Sequence, residues 1–554
     1  MNSLGVAAGS WVALYLGYRC YGGLLSRVWE VDPDRPTPAV QQRDGVDYIP
    51  TKHWIVLFGH HFASIAGAGP VLGPVLACAV WGWLPALAWL VAGAIFLGAA
   101  HDFSSLMASL RAQGRSIAEI TEAHLGHRVR LIFGAFLWLA LVLVVAVFAQ
   151  LAAQTLVMRP QLVVPTFGLV AVAMLVGLMM YRWGVPSVPA TAVGLLLLGG
   201  LLLLGYRLPL ELPFGPSNQL VWMVILFAYC YCASILPVNL LLQPRDYLST
   251  FLLIFGVGLG YLGLAITHPA IQAPPVTSFT GSSGPLWPML CVIIACGAIS
   301  GFHSLVASGT TSKQLANERE AQRVGYGAMI VESAAGVLAL MAVAAGLAWG
   351  RAPDAYGALL ADTGPLVTFA HGYQVLTAPL LGGAGAVVAL VILNAFVLTT
   401  LDTATRITRY LGEELFGHRL GPGVARNRFL STLLVVVFAF YLSLGPFQKV
   451  WPVFGSANQL IGALALLVLT VVLVRRGRPG LYAAIPAAFM LVTTVAALIY
   501  QGRVFLGEGK LLLAGLSAAL LVLSLMMVLD SARAFWAARG RPQPAAGRAA
   551  DKTG

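Results

Sequence analysis

Seven ionisable residues fall inside stretches otherwise apolar enough to cross a bilayer: His60, His61, His101, Asp102, His303, Glu332 and Asp402. Burying a charge in hydrocarbon is costly, so each is read first as functional. The chemistry on offer is proton handling, because histidine titrates near physiological pH and a carboxylate can be moved there by burial. His60, His101, Asp102, Glu332 and Asp402 are the candidates for proton coupling or gating. His61 and His303, deeper in their spans, are candidates for a substrate pocket. A second reading makes His101, Asp102 and Asp402 interface anchors at helix ends, among arginines such as Arg406.

The element that must position these groups runs from Trp54 to Trp81. Its flanks are hydrophobic, yet its centre reads Gly59-His60-His61-Phe62-Ala63-Ser64-Ile65-Ala66-Gly67-Ala68-Gly69-Pro70. Backbone that leaves the helical ladder at membrane depth is tolerated only where protein or a water-filled cavity satisfies it. Pro70 suits the first turn of a new helix, where its missing N–H would be an orphan anyway. Two half-helices meeting near Ile65 to Gly69 are therefore expected. The second would aim its free amides and positive dipole end at the break, which suits an anion. A carboxylate would rest on Gly67, Ala68 and Gly69, beside Ser64. Tyr229 and Ser234, with His61 and His303, would complete the pocket.

The hydroxyls of Ser308, Thr310 and Thr311 offer hard oxygen ligands to a small cation, with carbonyls freed at the first break, those of Ala63 and Ala66, completing the shell. The same hydroxyls can instead bond back to helical carbonyls, and on spacing alone that reading prevails.

Composition sets the class. Of 554 residues 59% are hydrophobic and only 10% charged, against about a quarter charged in soluble domains. The chain reads as an all-α polytopic membrane protein whose principal partner is the lipid bilayer. Its net charge of +12 reflects loop orientation, and no nucleic-acid partner is expected. The six cysteines suggest neither a disulfide framework nor a zinc site. HExxH, P-loop, GxSxG and CxxC signatures are absent, which weighs against an enzyme.

At about 20 apolar residues per crossing, fifteen spans are counted, the first beginning at residue 3 as a retained helix. With the N-terminus outside, all but six of the 33 basic residues fall inside, the six being Arg159, Arg207, Arg351, Lys449, Arg503 and Lys510. This asymmetry supports the count and puts the C-terminus in the cytoplasm. The span from 217 is interrupted at Ala233-Ser234-Ile235-Leu236-Pro237, five crossings after the first broken span and oppositely oriented. Two such units make an inverted repeat. The division expected is an extra helix and loop (1–52), a ten-helix core (53–410), additional helices (411–538) and a disordered tail (539–554).

Six stretches carry a family resemblance: GHHFASIAGAGPVLGP (59–74), ASILPVNLLLQPRDYL (233–248), IACGAISGFHSLVASGTTSKQ (294–314), VGYGAMIVES (324–333), LTTLDTATRITRY (398–410) and WPVFGSANQL (451–460). In this order they resemble the carbon starvation protein CstA family. The resemblance implies a transporter of the bacterial inner membrane, induced when nutrients run short and associated with uptake of peptides and proton-coupled uptake of pyruvate. Asn239 and Ser312 depart from the family pattern, which bears on substrate more than on fold. The family is similar in turn to transporters of the leucine-transporter-like fold. That likeness would make the span at 53 core helix one, that at 217 core helix six and that at 286 core helix eight. It implies a sodium site on Ala307, Thr310 and Thr311, shared with helix one.

The function expected is secondary import of a small organic anion, pyruvate or a short peptide, with a proton or sodium ion and no other cofactor. A nutrient-sensing receptor without transport is the rival. A channel suits the two broken helices less well, and an intramembrane enzyme on His61, His303 and Glu332 would have to form product in detergent.

Overall fold

The computed structural model describes residues 1–350, 352, 355–420, 427–444 and 447–539; the tail expected to be disordered lies outside them from residue 540 on. Helix α1 (Ser3–Leu16) leads into the first broken element, α2 (Trp54–Ile65) and α3 (Gly69–Trp81). Then come α4 (Trp83–Arg111), the long α5 (His127–Met158), the hairpin α6 (Pro160–Arg182) and α7 (Ser187–Arg207), α8 (Asn218–Ile235) and α9 (Leu242–Thr267). Two short helices follow, α10 (Leu286–Ile293) and α11 (Gly301–Gly309), before α12 (Glu318–Gly346), α13 (Tyr356–Leu381) and the long α14 (Gly385–Leu420). The described chain closes with α15 (Arg428–Ser443), α16 (Phe447–Arg475), α17 (Leu481–Gly507) and α18 (Leu511–Arg539).

The expected break is present. Helices α2 and α3 meet at 44°, and Ala66 takes φ −76° and ψ 76° while the Gly67 amide bonds the Ile65 carbonyl at 2.9 Å. That is an inverse γ-turn, the tightest reversal available to an L-residue. Pro70 occupies the first turn of α3. Valine 71 and Leu72 donate to the Ala68 carbonyl, so the new helix is closed from its own first residues.

The second break lies elsewhere than expected. Helix α8 runs without interruption to Ile235 and stops there, and the chain turns through Pro237 before α9 begins at Leu242. The Ala233–Pro237 signal marks a helix end and not a mid-span gap. The interrupted partner is the pair α10 and α11, parted by Ile294–Ser300. It crosses the first break at close quarters: a Cβ on Gly73 would lie 2.7 Å from the Ile293 carbonyl oxygen, and one on Gly69 2.5 Å from Cys296 Sγ. Glycine permits that approach. Helix α16 satisfies the opened backbone. Asn458 accepts from the Phe302 amide at 2.9 Å, and Gln459 donates to the Ile299 carbonyl at 3.0 Å.

Among the described residues eleven helices are long and apolar enough to cross a membrane, twelve with the bent pair counted as one span. The fifteen expected are not reached. Hydropathy reads through helix ends: the stretch at 286 is divided into helices of 8 and 9 residues, and α15 has only 16.

The packing has a repeated pattern. Helix α3 lies on α12 as α11 lies on α4; α2 lies on α9 as α11 lies on α16; long α5 runs against long α14, and short α8 against short α15.

Candidate functional site

Where the broken helices cross, the structure buries nine ionisable side chains completely: His60, His61, His101, Asp102, Arg245, Asp246, His303, Glu332 and Asp402. Eight of them fall into two clusters, and His61 stands apart.

The first ties five helices together. On α9, Arg245 pairs with its neighbour Asp246 and with Asp402 of α14, reaching Asp402 Oδ1 at 2.8 Å. Tyr229 of α8 donates to Asp402 Oδ2 at 2.6 Å and accepts from Arg245 at 2.6 Å. Asp246 reaches His60 of α2 at 2.6 Å, and His60 Nε2 stands 3.3 Å from the Thr310 hydroxyl at the end of α11. A buried charge pair is tolerable only when its remaining valences are hydrogen-bonded, and here nearly every one is.

The second cluster is less complete. Asp102 bridges His101 Nδ1 and His303 Nδ1, both at 2.9 Å. On the far side of that ring, His303 Nε2 lies 3.5 Å from Glu332 Oε2. Among the described residues neither Glu332 oxygen has a hydrogen-bond partner, nor does His101 Nε2. A buried carboxylate without a donor is costly as an anion, and a bound proton removes that cost. His61 belongs to neither cluster, with Nδ1 2.8 Å from the Thr311 hydroxyl and Nε2 unpartnered among the described residues.

The break itself is closed in this conformation. No described acceptor takes the Ala68 or Gly69 amide, but the cavity beside Ala66, Gly67 and Pro70 measures about 40 Å³ and has apolar walls. That is roughly the share of a single water, ~30 Å³. Phe148 of α5 lies over Gly67, where a Cβ would meet its ring at 2.7 Å.

Several placements correct the sequence reading. Tyr229 is held in the first cluster and Ser234 bonds Thr432 of α15 at 3.2 Å; neither lines the cavity at the break. The hydroxyls on the freed carbonyls come from α14, not α11: Thr399 donates to the Ala63 carbonyl at 2.6 Å, Thr400 to that of Ser64 at 3.2 Å, and Ser64 meets Thr403 at 3.1 Å. Thr310 bonds back to Val306 and Thr311 turns to His61, while Ala307 is packed in the core. The anchor reading of His101, Asp102 and Asp402 gives way to full burial among other ionisable groups. Sequence reasoning missed Arg245 and Asp246. An adjacent pair of opposite charges between two apolar runs was the available signal.

One loop is strapped to this assembly. Asp47, between α1 and α2, meets Arg406 at 3.0 Å, Arg409 at 3.6 Å and the Tyr410 hydroxyl at 2.6 Å, all on α14. Burial alone would raise its pKa, but the Arg409 and Arg406 guanidinium groups and the Tyr410 hydrogen bond outweigh it and hold the carboxyl below the usual range.

The family model described as carbon starvation protein CstA matches residues 2–352 and 351–497. The chain belongs to the CstA family. Within it, the chain is 34% identical to the peptide transporter CstA of Escherichia coli over 90% of its own length and 81% of the relative's. It is 33% identical to the pyruvate/proton symporter BtsT of the same organism over 88% and 80%, and 33% identical to the peptide transporter CstA of Bacillus subtilis over 89% of each. A solved manganese transporter of Eremococcus coleocola superposes with a TM-score of 0.54 at 13% identity, covering 89% of this chain and 99% of that one. At that identity the likeness concerns the fold alone. This CstA family member thus has the leucine-transporter-like helical fold expected from its sequence. With relatives named as transporters, no enzymatic role is indicated.

Proposed function

We propose that this CstA family member is a secondary active transporter of the bacterial inner membrane that brings a small organic anion, pyruvate or a short peptide, into the cell with a proton. The observation that carries this reading is Glu332, fully buried with no hydrogen-bond partner among the described residues and 3.5 Å from His303 Nε2, beside two broken helices that cross. Interrupted helices place substrate and ion sites at the midplane, and alternating access follows from rocking one part of the core against another. The carboxylate is proposed to rest on the Ala68 and Gly69 amides once Phe148 moves away, with Gly67, Ser64 and His61 around it. His101, Asp102, His303 and Glu332 take the coupling proton. His60 and Asp402, locked through Arg245 and Asp246, form the gate. Substrate and proton share one break, so each strengthens binding of the other.

The repeat is proposed to run over α2–α5 with α8 and α9, and over α10–α12 with α14–α16, a wider core than 53–410. The hairpin α6–α7 and helix α13 are insertions. The N-terminus is placed outside, from the distribution of basic residues.

Proteoliposome uptake of radiolabelled pyruvate and of a dipeptide, with proton and sodium gradients imposed separately, tests the reading. Accumulation is expected under an inward proton gradient, and accumulation indifferent to both gradients excludes symport. A sodium-driven version has one observation in its favour, the Thr399 and Thr400 hydroxyls on the carbonyls of Ala63 and Ser64; it predicts accumulation under the sodium gradient alone. Binding without flux would favour the nutrient-sensing receptor.

A further inference from the structure

A second hollow, of about 440 Å³, opens between the end of α5 beyond Phe148, the first turn of α8, the kink of α13 at Gly364 and Pro365, and Leu390 of α14. Among the described residues its wall holds one cationic side chain, Arg159, and no carboxylate. Arg159 makes no ion pair with any described residue. It is also one of the few basic residues on the face opposite the basic loops.

We propose that this hollow is an outer docking subsite for the free carboxylate of a short peptide, occupied before the ligand reaches the crossing of the breaks. The proposal rests on the transporter reading and deepens it. Three features select the ligand. Arginine presents a planar fork that matches a carboxylate in two parallel hydrogen bonds. Gln154 and Gln219 line the same hollow. A primary amide both donates and accepts, which is what a peptide group needs and a simple inorganic anion does not. The volume is the third. Pockets of about 300 to 1,000 Å³ enclose ligands larger than a three-carbon oxoacid, and Leu72, Met158 and Val367 supply apolar wall for side chains.

The position suits an entry site. Gln150 is two residues along α5 from Phe148, whose ring covers Gly67, and Leu72 belongs to the opening turns of α3. The hollow ends where the closed break begins. A ligand held there would be released inward by displacement of Phe148.

The test uses the full chain in detergent, where binding needs no gradient, with alanylalanine, its C-terminal amide and pyruvate as calorimetric probes. Arg159→Ala is expected to weaken alanylalanine binding about tenfold or more, with Arg159→Lys intermediate. The amide should bind weakly and equally to wild type and Arg159→Ala. In proteoliposomes the KM for external alanylalanine should rise by a similar factor at unchanged maximal rate. Gln219→Trp, at an accessible first turn, fills the hollow and should block the dipeptide even if the arginine variants fail to fold. Unchanged dipeptide affinity, equal losses for dipeptide and amide, preferred binding of pyruvate, or a fallen maximal rate at unchanged KM would each overturn the subsite. Wild-type binding that depends on Arg159 but leads to no uptake would instead sink the transport reading and leave the subsite standing.

Discussion

His303 Nε2 stands 3.5 Å from Glu332 Oε2, with both side chains fully buried; the His303 ring is held by Asp102 through Nδ1 at 2.9 Å, whereas neither Glu332 oxygen has a hydrogen-bond partner among the described residues. Elsewhere in the core the charges are paired: Arg245 has two carboxylates and a tyrosine, and Arg406 has Asp47 and the carbonyls of Ala233 and Leu236. Among the described residues Glu332 is the carboxylate buried with no hydrogen bond to either oxygen, which is why the proposed coupling proton is assigned to it. Permanent neutrality would be achieved as well by an amide.

Glu332→Gln tests this. The variant should fold and still exchange labelled for unlabelled substrate across the vesicle wall, while accumulation driven by a proton gradient falls tenfold or more. Counterflow and gradient-driven uptake, measured on the same vesicles, separate the two. Loss of both would make Glu332 structural.

Arg245→Met should be strongly destabilising, by about 3–5 kcal/mol, because it leaves Asp246 and Asp402 buried without their shared cation. Adding Asp402→Leu should recover part of the loss. Melting in detergent, followed by tryptophan fluorescence, reads both variants. A single variant as stable as wild type would show that the cluster is not under this constraint.

Gly67→Ala places a methyl 2.7 Å from the Phe148 ring, and overpacking of this kind costs about 1–3 kcal/mol. A lower melting temperature is expected, with recovery when Phe148→Leu is added. Should Phe148 be the inner lid, the double variant also takes up substrate faster than Gly67→Ala alone.

The strap at Asp47 has a pH signature. Its folded carboxyl titrates below the usual range, so its stabilisation is complete above the ordinary carboxylate value of about 3.9 and is lost as pH falls through the depressed folded value. Asp47→Asn should therefore lower the melting temperature at neutral pH, and the gap to wild type should close on acidification below about pH 4. A gap independent of pH would remove the ion pairs as its cause.

Much of this molecule was legible in the chain. A scarcity of charge and the length of the apolar runs required membrane helices, since lipid offers no partner for an open backbone. The first break was readable because proline and glycine announce themselves: Pro70 has no N–H to continue a ladder, and the residues before it are too small to enforce one. The ionisable residues in the spans were visible for the same reason, as exceptions in a hydrocarbon context.

What the sequence by itself determined, then, is which residues are out of place in lipid and where a proline ends a helix. Only the tertiary structure decided which of them meet. The second break at Ile294–Ser300 carries no proline and opens because Asn458 and Gln459, more than 150 positions away, accept and donate in place of the helical ladder. The same is true of the carbonyls of Ala63 and Ser64, whose hydroxyl partners could be drawn from any helix rich in threonine. Thr310 and Thr311 had the right spacing, but α14 had the right position. A local pattern fixes what a residue can offer, while its partner is chosen by packing between segments far apart in the chain.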